Sequence, residues 1–133
     1  MADLHLYGDQ WGEIIDRGDA GYLEIRWFDS TRDMTGDQFN QWLATFAEHV
    51  EAKRRPGALV DSVQFLMPMD RMDSGWRDAH IVPRYNQAGL KKFAFLMPEG
   101  MPAIGTEPRR EGPAQYPTGY FSKRRDALSW LSY

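Results

Sequence analysis

The stretch from Gly57 to Pro98 decides the fold class. It contains Ala58-Leu59-Val60-Asp61, an apolar run ending in an acid, then Asp73-Ser74-Gly75-Trp76, which opens a helical segment, then Phe93-Ala94-Phe95-Leu96-Met97. The order reads as strand, helix, strand. A tight turn joins antiparallel strands, whereas a helical crossover returns the chain to the same end of the sheet, so these two strands run parallel and the class is α/β. Phe93 to Met97 is apolar on both faces, as an interior parallel strand must be. Such folds gather ligands outside the carboxyl ends of their strands, where Asp61 and Ser62 fall.

Working outward, Tyr22/Glu24/Arg26 alternate with Leu23/Ile25/Trp27, which predicts a half-buried strand within Gly21 to Asp29. A strand from Gly12 to Arg17 is expected to pair with it as a hairpin through Gly18-Asp19-Ala20-Gly21. Residues 1–20 are thus an N-terminal extension or the first hairpin strand. Thr35 and Gln38 form a capping box ahead of Phe39, Trp42, Leu43, Phe46, Ala47 and Val50, which share one helical face. Lys53, Arg54 and Arg55 suit the negative end of that helix, and Pro56-Gly57 stops it. The next helix is expected from Ser74 to near Gly89, with Pro83 kinking or dividing it. From Pro98 to Gly119, prolines and glycines interrupt every periodic run, which predicts a long loop over 98–119. Tyr120-Phe121 reads as a last strand, leading through Ser122 as N-cap into a helix over Arg124 to Leu131.

The chain has 133 residues, 42% of them hydrophobic and 14% aromatic, which is enough for one core and one domain over 1–133. Its net charge of -3 argues against a general nucleic-acid binder, and no apolar run is long enough to span a membrane. Zero cysteines exclude disulfides, thiolate nucleophiles and thiolate zinc sites. Met1-Ala2-Asp3-Leu4-His5-Leu6 has neither a basic region nor an apolar region of the secretory kind, so a cytoplasmic location is expected. His5, His49 and His80 are too scattered for a metal spacing, and no cofactor motif is present.

Three segments, taken in order, resemble the bacterial SpoIIAA-like proteins, which belong with the STAS fold. They are Ala58-Leu59-Val60-Asp61, then Trp76 through Pro83 with Gly89-Leu90-Lys91-Lys92-Phe93-Ala94-Phe95, then Tyr120-Phe121 through Asp126-Ala127-Leu128-Ser129-Trp130-Leu131. The resemblance implies a single STAS-like domain with a mixed sheet of four to five strands and helices packed against it. It implies no established enzymatic activity. Relatives of that fold suggest two roles. One is binding of a protein partner, switched by phosphorylation of a serine at a helix start, which would fall on Ser74. The other is binding of an apolar small molecule.

The residues themselves supply the candidate surface. Met67, Met69 and Met72 form a methionine-rich loop beside Trp76, and flexible thioethers next to an aromatic adapt to an apolar ligand or partner. Asp61, Ser74, Trp76 and the loop after Pro98 belong to the same edge. His80 follows Trp76 by one helical turn, so both can share a groove. The preferred reading is a non-enzymatic binding or regulatory module, with a homodimer as one way to cover an edge strand or aromatic stripe. The alternative is a groove for an apolar small molecule beneath the 98–119 loop, bordered by Met69, Trp76 and Phe121. Last comes a hydrolase, which requires Asp61, Ser62 and His80 to converge. Lys123, Arg124 and Arg125 with Arg109 and Arg110 read as solvated charges or as an anion-binding patch.

Overall fold

The crossover expected between Gly57 and Pro98 is present in the computed structural model of the chain, which describes residues 3–98 and 108–132. Strand β4 (Gly57–Asp61) leads into helices α2 (Ser74–His80) and α3 (Val82–Ala88) and returns as β5 (Lys92–Leu96), parallel to β4. The division expected at Pro83 falls just before it, at Ile81, so that Pro83 stands in the first turn of α3, where its missing amide costs nothing. Gly89 ends α3 in the left-handed conformation, at φ 84°.

Around this unit lie β1 (Leu4–Gly8), β2 (Gly12–Arg17), β3 (Tyr22–Trp27), α1 (Gly36–Lys53), β6 (Arg109–Arg110), β7 (Pro117–Phe121) and α4 (Arg124–Leu131). Among the described residues the seven strands form one sheet in the order β1-β2-β3-β4-β5-β7-β6. Strands β3, β4, β5 and β7 are parallel, while β1 and β2 extend the sheet as antiparallel neighbours and β6 pairs antiparallel with β7. The sheet therefore exceeds the expected four to five strands. The hairpin of β2 and β3 is as expected, but β1 adds a strand within what reads as an N-terminal extension, and β6 adds another inside the Pro/Gly-rich region.

That region is not one open loop. Residues 108–119 include β6, the start of β7 and three buried side chains, Ala114, Tyr116 and Thr118, while residues 99–107 of the expected loop lie outside the described residues. Asn86 on α3 holds the segment by accepting from the Gln115 amide at 2.9 Å and donating to the Pro113 carbonyl at 3.0 Å. Strand β7 begins three residues earlier than the Tyr120-Phe121 reading, and the N-cap of α4 is Lys123, not Ser122, with no side-chain cap bond.

The parallel strands advance in one direction across the sheet. Right-handed crossovers that advance the same way lie on the same face, so α1, α2, α3 and the segment before β7 all cover one side. Their core includes Leu23, Ile25, Phe46, Val60, Tyr85, Phe93 and Tyr116. Helix α4 follows the last of these strands and is free to pack on the other side, over Tyr22, Leu59, Ala94 and Leu96 through Ala127. The capping box of α1 is formed: the Gln38 amide donates to Thr35 Oγ1 at 3.1 Å, and the Thr35 amide to Gln38 Oε1 at 2.9 Å. Of the three cations expected at its end, only Lys53 is in the helix. Arg54 is the left-handed cap at φ 52°, and Arg55 turns to the buried carboxylate of Asp16 at 2.9 and 3.0 Å.

Candidate functional site

Three neighbourhoods hold the candidate groups. The first contains Asp61, the last residue of β4. Alternation along β3 sends Glu24 and Arg26 to the α4 face, where Asp61 and the incoming Arg124 also lie. Glu24 is completely buried and accepts from Arg17 at 3.1 Å, from Arg26 at 3.5 Å and from Arg124. Asp61 is 3.8 Å from Arg26 and 3.6 Å from Arg124, and its Oδ1 accepts the Val63 amide at 3.2 Å. Burial works against the Arg124 cation, but the hydrogen bond and charge of Glu24 outweigh it and raise its pKa. Arg124 is thus committed to the sheet, while the exposed Arg125 lies 4.0 Å from Asp126.

The second neighbourhood is the segment from Ser62 to Trp76 on the opposite face. The methionines divide there. Met67 is buried in the main core and Met72 packs against it, whereas Met69 is 75% exposed. The backbone between them is tied down: the Leu66 amide donates to the buried Thr31 hydroxyl at 2.9 Å, and Arg71 donates to the Arg32 and Met34 carbonyls. Asp73 caps α2 by accepting the Trp76 amide at 3.0 Å, which leaves the exposed Ser74 as first helical residue without a capping duty. Trp76 packs against the main core and its ring lies 5.3 Å from the exposed His80.

These placements decide which predicted groups come together. Asp61 is on the α4 face and His80 on the α2 face, so Asp61, Ser62 and His80 form no catalytic cluster. Phe121 packs with Trp130 beneath α4, whereas Trp76 and Met72 pack on the other side of the sheet. The sheet therefore separates Phe121 from Trp76, and the two do not border one pocket. The space against the 108–119 segment is filled by aromatic contacts, with Phe95 stacked on Tyr120 at 5.3 Å and Phe93 on Tyr116 at 6.1 Å. Burial, helped by the hydrogen bond to Glu111, pushes the Tyr120 hydroxyl up to about 12, and burial alone is the main cause for Tyr116, also about 12.

The third neighbourhood was not anticipated from the sequence. A groove of about 450 Å³ lies between the β1–β2 turn and α1, lined among others by Tyr7, Asp9, Trp11, Gln41, Trp42 and Glu48. A bulge creates it. The pairing register shifts between His5 and Tyr7, so His5 stays opposite Ile15 while Tyr7 moves opposite Ile14 and onto the α1 face. Gly12 lets the turn close, since a Cβ there would stand 2.7 Å from the Arg26 carbonyl oxygen. Asp9 accepts from the Trp11 amide at 2.8 Å, the Gly12 amide at 3.3 Å, the Tyr7 hydroxyl at 3.0 Å and Trp42 Nε1 at 3.1 Å. Burial first, and the Asp9 contact second, raise the Tyr7 pKa. Gly8-Asp9-Gln10-Trp11-Gly12 carries a readable turn signal that would have exposed β1, but no periodic pattern announces the bulge.

Among the described residues no group of three or more histidines, aspartates or glutamates is placed to hold a metal ion, and no helix is long and apolar enough to cross a membrane. Comparison with known proteins finds no matching family model, no matching curated protein and no matching solved structure.

Proposed function

We propose that this chain is a non-enzymatic binding module of the SpoIIAA-like, STAS type, and that it docks a protein partner on the segment between β4 and α2. One observation carries the reading. Of the four large apolar side chains most exposed among the described residues, three fall within seven residues of each other: Val63 at 46%, Leu66 at 43% and Met69 at 75%. Scattered apolar exposure is ordinary, but exposed apolar side chains gathered on one short segment offer a partner more than isolated ones do. The backbone that presents it is fixed by Thr31 and by Arg71, so a partner meets a pre-ordered surface and loses less entropy on docking. Met69 supplies the adaptable contact.

The test is site-specific photo-crosslinking in the native cell, with the photoreactive residue in place of Met69 and, as control, in place of Ser129 on the exposed side of α4. The expected result is one discrete adduct at position 69, absent at 129 and lost on Leu66→Glu. An adduct with a second copy of the chain would identify the partner as itself. No adduct at 69, or the same adducts at both positions, would remove the proposal.

A further inference from the structure

We propose that the groove between the β1–β2 turn and α1 binds a small quaternary ammonium ligand, a trimethylammonium group carried on a short polar chain. The charge of the groove sets the sign: its lining has two carboxylates, Asp9 and Glu48, and no lysine, arginine or histidine. Its walls set the type of cation. Tyr7 and Trp11 are half-buried and border the cavity, with Trp42 meeting Tyr7 edge to face at 5.5 Å, and aromatic rings beside a negative charge attract cations that carry little hydration.

Asp9 narrows the choice further. A carboxylate has about four acceptor positions, and four groups already donate to this one. Capping the turn requires only the two backbone amides; the phenol of Tyr7 and the indole of Trp42 are additional. The carboxylate therefore offers negative charge without a free acceptor. A primary ammonium has three N–H groups to satisfy and would compete with those donors, whereas a quaternary ammonium needs none satisfied. The groove is open to solvent on one side, and Gln38, Gln41 and Thr45 line the remainder with groups suited to a hydroxyl or ester.

The experiment follows the indole N–H signals of Trp11 and Trp42 in proton–nitrogen correlation spectra during titration with choline chloride at constant ionic strength. The parallel probes are the neutral isostere of choline, in which a tert-butyl group replaces trimethylammonium, and methyl glucoside. Saturable shifts with choline are expected, about tenfold weaker binding of the isostere, and clear weakening in Glu48→Gln, an exposed helix position whose substitution leaves the fold intact. Trp11→Ala should abolish the response at Trp42. Equal affinity for choline and its isostere, tighter binding of the glucoside, or no saturable shift would overturn the assignment.

Discussion

The two faces of the sheet are built from the same strands and stabilised in different ways. On β3, Leu23, Ile25 and Trp27 enter a continuous core under α1, α2 and α3, while Tyr22, Glu24 and Arg26 face the side where, among the described residues, α4 is the one helix that packs. Three helices cover their side with apolar atoms. One eight-residue helix cannot cover the other, and its first turn is joined to the sheet by arginine–carboxylate contacts around Glu24. The first face gains from area removed from water; the second depends on pairing, because an ion taken out of water is costly unless its partners stay in place.

Substitution under the three helices should do the most damage. Phe46 is fully buried on α1 against Tyr85, and Phe46→Ala should cost about 3–5 kcal/mol in denaturant unfolding by removing contacts and leaving a cavity. A loss near zero would mean that the helix face is not the main core. On the other face Glu24→Gln should cost about 2 kcal/mol, less than a sealed ion pair because Arg26 and Arg124 keep contact with water. Hydrogen exchange at Ala127 to Leu131 should speed up in that variant, and Arg124→Met added to it should recover part of the loss. If the second substitution makes matters worse, the cluster does not act as a unit.

A third measurement separates the faces by pH. Tyr116 and Tyr120 lie on the helix side and are pushed up to about 12, above the usual tyrosine value of about 10. A raised pKa means that the fold favours the neutral phenol. Its contribution to stability is therefore full below about pH 10 and is lost as the pH rises from about 10 towards about 12. Phenolate absorbance should show part of the tyrosine signal appearing late, together with loss of near-ultraviolet circular dichroism. All tyrosines titrating near 10 with the fold intact would contradict the burial assigned to this pair.

Much of the helix face was legible in the sequence. The apolar face of α1, its capping box, the break at Pro83 and the C-cap Gly89 depend on neighbours within a few residues, and local chemistry decides them. The β4–β5 crossover was legible for the same reason. The α4 face was not. Glu24 in an alternating strand reads as a solvent-facing acid, and its burial depends on Arg124, 100 residues away. Asp61 gave no sign of a partner in its own segment, since Arg26 and Arg124 reach it across strands. The methionine loop was legible as a unit but not in its division, with Met67 inward and Met69 outward.

The order of the amino acids alone settles the α/β class, the parallel crossover and the helices, because backbone propensity, capping and hydrophobic period act over short distances. Folding in three dimensions settles which side of each strand is covered, how many strands the sheet has, and where Tyr7 points. The orientation of Tyr7 turns on one extra residue in β1: side chains alternate with a period of two, so a one-residue shift moves Tyr7 to the other face and makes the groove on α1. A pairing register is a relation between two strands, and neither strand carries it alone.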